Sequence, residues 1–598
     1  MKVLKGIFIY TMLIIGAVFV VGILLLGGMY LFKWSLFGYT FKNINIQTDR
    51  FASININSFV HNGQAIENDN PRIKFVIDSG VYSVRIQPDK EGSQINYYTV
   101  SDFTGFVKST DKVYTPAVTT SLSMKDGCMI VNMKVANPEG AISFDKERNR
   151  IVIVVPEIFT KTESKKEISY YCDITTTKGS ITLKNSVTDD NKFNAPLRVK
   201  SLVAKTETGN ITLGGFDRDG NNAKTDVTLD NIILSTKRGI FDFSSFTKLT
   251  IKEKFVLNSD KADYIFDTLV AKNGVEILGN NILLKANEIT CENGDFVFKS
   301  ASGGVQVGTI NCSNYTKEVT AAATETVEEK YHYKENGTTT LNNVSIFTEN
   351  ANIVIKNLMG KTRIDNIYGS ITIDLLCNQA SIKNENSNIT IKKSGVLPAN
   401  DGTTTMTETS SMVIYNTYGN IDVKEYYQNG LFTNVKGSIT LNSAFNNMKS
   451  VDEYYYTKVV SKDGNVELTT AGNPYTIEAT DKSNVTIVQN GIKKLSNDSE
   501  TKQVYYAKTT NGNLSANLPT LASKAGNGYI VLVDGGLAST PVNTFANLKA
   551  HEYRYYMIGG ANTALSNTVV AEADLEGALA SYPLIKLQSS KTYVYAQN

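Results

Sequence analysis

Short segments in which apolar and polar residues alternate recur along most of the chain. The segment KGSITLKN, residues 178–185, is typical, because Ile181 and Leu183 flank Thr182 directly after a glycine and a serine. Alternation with a period of two residues predicts a strand with one buried and one exposed face. The pattern small, polar, apolar, variable, apolar occurs fourteen times, starting at residues 179, 209, 239, 273, 294, 303, 351, 369, 387, 419, 437, 464, 483 and 512.

The spacing of these copies distinguishes between β-repeat folds. Several successive copies are 18 or 19 residues apart, and several others are 27 to 34 residues apart. A coil of a β-solenoid needs roughly 18 to 22 residues, and a loop inserted at one corner lengthens a coil without disturbing the stack. A propeller requires a longer and more regular period. We therefore predict an all-β fold, a parallel β-solenoid whose stacked coils share one core.

Each position of the motif has a predicted place in a coil. The third and fifth positions, such as Ile181 and Leu183, should face the interior by strand alternation. The second position is Ser or Asn in ten copies, and we expect these side chains to hydrogen-bond along the stack, as ladders do in cross-β structures. The fourth position is mostly polar and should face outward. The interval of 9 residues between positions 294 and 303 predicts half a coil.

The beginning of the chain differs from the rest. Residues 6–32 include no charged side chain, and as an α-helix they would extend about 40 Å, against a hydrocarbon core of about 30 Å. No A-x-A-like cleavage site precedes Lys33, which favours a retained anchor over a signal peptide. Lys2 and Lys5 give a slight positive-inside bias. We expect a single-pass cell-membrane protein with most of the chain extracytoplasmic, and the inverted topology remains an alternative.

These patterns divide the chain into five predicted regions, with a polar boundary at KTESKKE, 161–167. The solenoid region has two polar insertions, near residues 316–340 and 398–411. The C-terminal strands should cover the last coil. The regions are a cytoplasmic tail, 1–5; a transmembrane signal-anchor helix, 6–32; a small membrane-proximal β-rich domain, 41–165; the β-solenoid, 170–520; and a C-terminal β cap, 521–598.

Composition limits the choice of partners and cofactors. Lys and Arg total 60 against 58 Asp and Glu, so no electrostatic footprint for nucleic acid is present. The cysteines are widely spaced without a C-x-x-C pair, which favours buried thiols over a zinc site or a disulfide framework. The five cysteines are Cys128, Cys172, Cys291, Cys312 and Cys377.

Candidate residues for catalysis or metal binding are few. The stretch FDRDGNN places Asp217, Asp219 and Asn221 at alternate positions. It has neither the glycine position nor the closing Glu of an EF-hand loop, so we interpret it as a solvated turn. The histidines lie far apart in dissimilar contexts, and no catalytic arrangement is predicted from them. They are His61, His332 and His551.

Two outward features remain as candidates for ligand or substrate binding. Asp242 and Glu276 hold the fourth position in successive motif copies, as a carboxylate pair of a polysaccharide-cleaving enzyme would. No cluster of Arg or Lys accompanies them, so we prefer a solvated strand face. The segments DEYYYTK, KEYYQNG and HEYRYYM, starting at 452, 424 and 551, could form aromatic surfaces, although tyrosine is also a common strand former. We predict no enzyme activity, cofactor or metal.

The GSITL and GNITL strands, the IVIVVPE strand before them and the N-terminal apolar segment resemble the bacterial putative-adhesin β-solenoid family, whose relatives include the auto-transporter-adhesin-like head domains. The resemblance covers roughly residues 150–515. It implies a right-handed β-solenoid displayed at a bacterial surface, and it carries over no catalytic residue. We predict surface adhesion or an envelope scaffold that binds a cell-surface glycan or protein along an extended polar face. The alternative is a carbohydrate-active enzyme or a glycan-binding module on a β-helix scaffold.

Overall fold

The chain forms two compact units, Met1–Thr268 and Leu269–Asn598, which are described separately. The computed structural model describes residues 15–25, 35–36, 39–47, 52–89, 94–108, 117–136, 142–143, 149–159, 166–183, 185–187, 193–196, 199–213, 225–243, 246–323, 328–337, 340–405, 407, 411–443, 456–471, 473, 475–489, 504–518, 529–535, 553–558 and 584–596.

A helix, α1, covers residues 15–25, inside the segment 6–32 that was predicted to cross the membrane. Within the described ranges, no helix has both the length and the apolar character that a membrane crossing requires. The other residues of the predicted segment, 6–14 and 26–32, lie outside the described residues.

The first unit is otherwise built from strands, and its last strand continues three residues into the second unit. In chain order they are β1 (Ser35–Leu36), β2 (Tyr39–Gln47), β3 (Ala52–Asn55), β4 (Val60–His61), β5 (Gln64–Ala65), β6 (Arg72–Asp78), β7 (Ser83–Asp89), β8 (Gln94–Lys108), β9 (Ala117–Lys125), β10 (Cys128–Ala136), β11 (Ile142–Ser143), β12 (Arg150–Pro156), β13 (Ile158–Phe159), β14 (Lys166–Glu167), β15 (Ser169–Thr176), β16 (Ile181–Leu183), β17 (Asn185–Val187), β18 (Phe193–Pro196), β19 (Val199–Thr208), β20 (Ile211–Leu213), β21 (Thr225–Asp242) and β22 (Phe246–Ala271).

Parallel pairing arranges the first unit in two columns. One column runs in the order β10, β6, β15, β19, β21 and β22. The other runs in the order β12, β7, β16, β20, β21 and β22. Beside them, β8 pairs antiparallel with β2, β3, β11 and β12. Strands β6 and β7, from the region predicted as membrane-proximal, are thus direct neighbours of β15 and β16, from the predicted solenoid. The domain boundaries themselves stay predictions.

The second unit is also built from strands. In chain order they are β23 (Val275–Cys291), β24 (Phe296–Asn311), β25 (Thr316–Ala321), β26 (Lys330–Lys334), β27 (Asn343–Met359), β28 (Lys361–Asn366), β29 (Ile371–Leu376), β30 (Ala380–Asn384), β31 (Ile389–Ser394), β32 (Ser411–Tyr418), β33 (Ile421–Tyr426), β34 (Asn429–Lys436), β35 (Ile439–Ser443), β36 (Thr457–Asp463), β37 (Val466–Thr470), β38 (Tyr475–Ala479), β39 (Val485–Gln489), β40 (Val504–Leu518), β41 (Tyr529–Gly535), β42 (Tyr553–Ile558) and β43 (Leu584–Ala596).

Parallel pairing also stacks the second unit, with a regular register. Ile353 pairs with Ile371 and Ile371 with Ile389, steps of 18 residues. Phe296 and Val305 of β24 pair with Val344 and Ile353 of β27, from which one column continues into β28 and the other into β29. The interval of 9 residues is therefore part of one coil. This long, mostly parallel sheet is compatible with the predicted β-solenoid. The handedness stays a prediction.

The motif residues form the core of both units as predicted. Wherever the motif's side chains are described, its third and fifth positions have at most 4% of their surface exposed, as for Ile181 and Leu213. Buried apolar residues therefore lie above one another along the stack. At about 0.8 kcal/mol for each buried CH₂ group, these columns provide the main stabilisation of the coils.

The small first position is explained by the close approach of successive coils. A Cβ atom added to Gly209 would lie 2.3 Å from the carbonyl oxygen of Gly179, and one added to Gly464 would lie 2.0 Å from that of Gly437. Such distances are far below van der Waals contact, so a side chain at these turns would force neighbouring coils apart.

The side chains at the second position of the motif stabilise the stack through hydrogen bonds to the backbone, and not only through the predicted ladder between side chains. The Asn420 side-chain oxygen accepts a hydrogen bond from the backbone N–H of Ser438, at 2.9 Å. Asn388 receives one from Asn420 in the same way, at 2.8 Å. These bonds join each side chain to the backbone of the next coil, because the turn leaves that N–H outside the strand ladder.

A second polar column is buried and was missed by the sequence analysis. Asn384 donates to the carbonyl oxygens of Gly369 and Ser387, at 3.2 and 3.0 Å. Asn366 and Asn434 make corresponding bonds in their own coils. The signal was present in the sequence, since a Thr, Ser or Asn lies three residues before most of the motif's first positions.

Candidate functional site

The sequence-based candidates that lie within the described ranges are on different strands. Asp242 belongs to the first unit and pairs with Ile265, whereas Glu276 belongs to the second and pairs with Val297. His61 lies in β4 and stacks on Phe59 at 6.5 Å between ring centroids. Asp217, Asp219, Asn221 and His551 lie outside the described residues. Across the part of the chain that the structure describes, no group of three His, Cys, Asp or Glu side chains could hold a metal ion.

The cysteines are free thiols, and all but the half-buried Cys128 are buried. Burial raises the pKa of the Cys172 thiol to about 12. The thiolate is the reactive form, so this thiol is chemically inert at neutral pH.

The tyrosine-rich segments differ in how deeply their side chains are buried. Tyr426 is fully buried, and its hydroxyl hydrogen-bonds the Thr457 hydroxyl at 2.6 Å, so it belongs to the core and not to a binding surface. Burial raises its pKa to about 12. Tyr456 is 39% exposed. The side chains of the HEYRYYM segment, in β42, are not among those described.

The best candidate surface lies on the outward side of β24, β27, β28, β30 and β32 in the second unit. Along these strands, the inward residues are buried and the alternate residues point outward. Two adjoining shallow depressions, of about 580 and 810 Å³, share Arg363, Asp365, Lys383 and Glu385. We call this surface the outer face, and its principal side chains are Lys299, Phe347, Glu349, Arg363, Asp365, Lys383, Glu385 and Tyr415.

Phe347 is the central aromatic residue of the outer face. The Lys299 Nζ lies 5.6 Å from its ring centroid, and the Arg363 Cζ lies 5.2 Å from it. Both distances are within the range of cation–π attraction, which holds the two cations over the ring. A ligand in the depression of about 580 Å³, which Phe347 lines, would meet an aromatic ring bordered by positive charge.

The charges of the outer face are largely paired with one another. Arg363 binds the Asp365 carboxylate through Nε at 3.0 Å and through one terminal nitrogen at 2.8 Å. Lys383 Nζ lies 3.0 Å from the Glu385 Oε1. The two residues of each pair are two positions apart in the chain, a spacing that places side chains on the same face of extended backbone. The outer face therefore offers polar groups with little net charge.

Two further tyrosines lie at the corner where these strands turn. Tyr368 has 55% and Tyr418 has 49% of its surface exposed. The Lys436 Nζ lies 5.6 Å from the centroid of the Tyr418 ring. Sequence reasoning did not select these residues, because single tyrosines before the motif glycine gave no local cluster.

The two predicted insertions, 316–340 and 398–411, contact each other. Strands β25 and β26 form a hairpin, and the second insertion lies along β26, with the Tyr333 N–H bonded to the Pro398 carbonyl at 2.9 Å. The His332 Nδ1 lies 2.8 Å from the Asp401 Oδ2. Its Nε2 lies 3.7 Å from a Glu318 carboxylate oxygen.

Electrostatics in this contact favour the ionised carboxylates. Hydrogen bonds from His332 and Thr403 hold the pKa of Asp401 well below its usual range. The pKa of Glu318 is lowered chiefly by Lys334, whose Nζ lies 2.5 Å from it. Beneath the hairpin, an apolar cluster is formed by Tyr315, Tyr333, Met359, Leu375, Cys377, Val396 and Leu397.

Comparison with known proteins gives little further information. No family model matches the chain, and no curated protein matches it. The solved structures include a similar chain described as a "putative cell adhesion protein" from Clostridium sporogenes, at 11% sequence identity and a TM-score of 0.20. The match covers 53% of this chain and 100% of that one. A TM-score this low supports no inference about this chain.

Proposed function

We propose that the chain is a membrane-anchored, extracytoplasmic β-solenoid that acts in surface adhesion or as an envelope scaffold. The observation that carries the proposal is the outer face, a broad and shallow polar surface that includes the aromatic ring of Phe347. Such a surface suits many distributed contacts with a large ligand better than the enclosure of a small molecule, which requires a concave and mostly apolar site.

The anchor is proposed from the sequence. The uncharged run at residues 6–32 is long enough to cross a bilayer as a helix, and Lys2 and Lys5 favour an internal N-terminus. The outer face would then be displayed outside the cell.

Topology is tested by protease treatment of intact cells that carry a tag after Asn598. We expect the tag to be lost from intact cells. Protection that ends only when the cytoplasmic membrane is breached would place the chain inside and remove adhesion, leaving an internal scaffold.

Adhesion is tested with cells that express the full chain on surfaces coated with mucin, fibronectin or collagen. We expect more cells to remain on at least one coating than without the chain. Phe347→Ala combined with Arg363→Ala should return adhesion towards background. Val354→Ala is the control. Val354 is 45% exposed, but it pairs with Thr372 of β29, which is not part of the outer face. Equal adhesion with and without the chain on every coating would contradict the adhesive function and leave the scaffold.

The alternative is a glycan-binding module or a carbohydrate-active enzyme. The exposed Tyr368 and Tyr418 favour the module. For the enzyme, the outer face offers the carboxylates of Glu349, Asp365 and Glu385. Asp365 and Glu385 each pair with a cation two residues away. A paired carboxylate is a poor proton donor, so we give the binding function precedence.

A further inference from the structure

One corner of the second unit carries a column of exposed aromatic and amide side chains. Asn350 and Tyr368 form a parallel β-bridge. In the following coils, the Asn386 N–H donates to the Ile367 carbonyl, and the Tyr418 N–H donates to the Glu385 carbonyl. Tyr418 pairs with Lys436 of the next coil. Successive coils thus present Tyr368, Asn386, Tyr418 and Lys436 at equivalent positions, and we call these four residues the corner column.

The spacing of the corner column is fixed by the stack. Neighbouring parallel strands lie about 4.8 Å apart, so the backbones of Tyr368 and Tyr418, two coils apart, are separated by roughly 9.5 Å. This separation is comparable to the length of a disaccharide unit in an extended β-linked polysaccharide. A polymer lying along the stack could therefore place two sugar rings, with one ring between them, over Tyr368 and Tyr418.

The chemistry of the corner favours a neutral and hydroxyl-rich ligand. Both tyrosines expose about half of their surface, which leaves ring area for the apolar side of a sugar ring. Asn386 is exposed between them, and its amide can both donate to and accept from hydroxyl groups. Of the four corner residues, Lys436 alone carries a charge, and its Nζ lies over the Tyr418 ring. Arg363 and Lys383 of the outer face are paired with carboxylates, so a strongly charged polymer gains at most one new ion pair here.

We propose that the corner column binds a neutral, extended, β-linked polysaccharide that runs along the stack, with sugar rings on Tyr368 and Tyr418 and a hydroxyl bonded to Asn386. This inference rests on the proposed function, because it names the class of ligand that a displayed solenoid would hold. The inference requires different residues from the adhesion test, because Phe347 and Arg363 do not belong to the corner column.

The test uses the detergent-solubilised full chain and calorimetric titration with two pairs of probes. The probes are the hexasaccharide and disaccharide of β-1,4-linked N-acetylglucosamine, and those of β-1,4-linked glucose. We expect at least one hexasaccharide to bind roughly tenfold more tightly than its disaccharide, since only the longer chain reaches both tyrosines. Equal affinity for the two lengths, or no binding of either hexasaccharide, would overturn the inference.

Variants distinguish the corner column from other exposed tyrosines. Tyr368→Leu and Tyr418→Leu should each weaken hexasaccharide binding by roughly tenfold, whereas Tyr418→Phe, which retains the ring, should bind like the parent chain. Tyr456→Leu is the matched control, at 39% exposure outside the corner. Circular dichroism identifies any variant that fails to fold. If a leucine variant fails to fold, Tyr418→Phe still tests the inference, because a loss of binding with this variant would contradict stacking on the ring. A loss with Tyr456→Leu equal to that with Tyr418→Leu would contradict the proposed site.

The two proposals fail in different ways. If the cell-adhesion assay depends on Phe347 and Arg363 but no hexasaccharide binds, the proposed function stands and the corner column has no polysaccharide role. If adhesion to a protein coating is lost with Tyr368→Leu while the sugars fail to bind, the column contacts protein and the polysaccharide inference is wrong.

Discussion

Gly437 shows how closely the coils approach one another at a single residue. Its φ is +128°, a conformation that L side chains rarely adopt, and an added Cβ would lie 2.2 Å from the Gly419 carbonyl oxygen. We expect Gly437→Ala to lower the local unfolding free energy by roughly 2–4 kcal/mol, from backbone strain and overpacking together. Native-state hydrogen exchange over residues 429–443 measures this loss.

Gly337 is the control for that substitution. It also has a positive φ, +77°, but no atom lies within 4 Å of an added Cβ. Gly337→Ala should therefore show the strain alone and a smaller effect in its own peptide. An equal loss at both positions would mean that the contact between coils contributes nothing.

The buried Asn416 amide gives a second prediction at the residue scale. Its Nδ2 donates to the Ser387 carbonyl oxygen at 2.8 Å. Asn416→Ala removes one of the two amide donors to that half-buried carbonyl, the other being Asn384, and we expect a loss of about 1 kcal/mol in hydrogen-exchange stability over residues 411–423. Asn442→Ala, at an exposed strand position, should change stability by less than about 0.5 kcal/mol. Similar losses for the two variants would assign no special role to the buried column.

At the scale of elements, the contact between the two insertions depends on pH. The Asp401 carboxylate is 10% exposed and bonds His332. Glu318 of β25 approaches the same ring, and Lys334 of β26 pairs with Glu318. Because the folded-state pKa of Asp401 is depressed, its stabilisation is present above the ordinary Asp pKa of about 3.9 and is lost as the pH falls below that value through the folded-state pKa. We expect hydrogen exchange over residues 328–337, corrected for intrinsic rates, to accelerate below about pH 4.

Replacing the histidine should move that transition. His332→Gln removes the cationic partner, so the pKa of Asp401 rises and protection should begin to fall at a higher pH. His61→Gln changes a histidine of the first unit and should leave the profile of the hairpin unchanged. A profile that is the same in the parent and in His332→Gln would show that His332 does not hold the two insertions together.

The sequence predicts contacts that follow from local patterns, but not contacts between residues that are far apart in the chain. The inward columns, such as Ile353, Ile371 and Ile389, follow from alternation and from the spacing of the motif, which are both local properties. The His332–Asp401 contact spans 69 residues and has no local signal. The exposed Tyr368 and the buried Tyr426 also read alike in the sequence, because only the position of a turn decides which way each side chain points.

For the second unit as a whole, the register rather than the number of coils should determine folding. Repeat stability is approximately a sum of coil and interface contributions, so an entire coil is removable. Deletion of residues 372–389, one step of 18, joins Ile371 to Thr390 and preserves both inward columns. We expect that variant to keep its β-sheet circular dichroism and to melt cooperatively. Deletion of residues 372–380, half a step, should abolish cooperative melting, because residues of one column would then meet those of the other. Folding of both variants alike would contradict a core built by register.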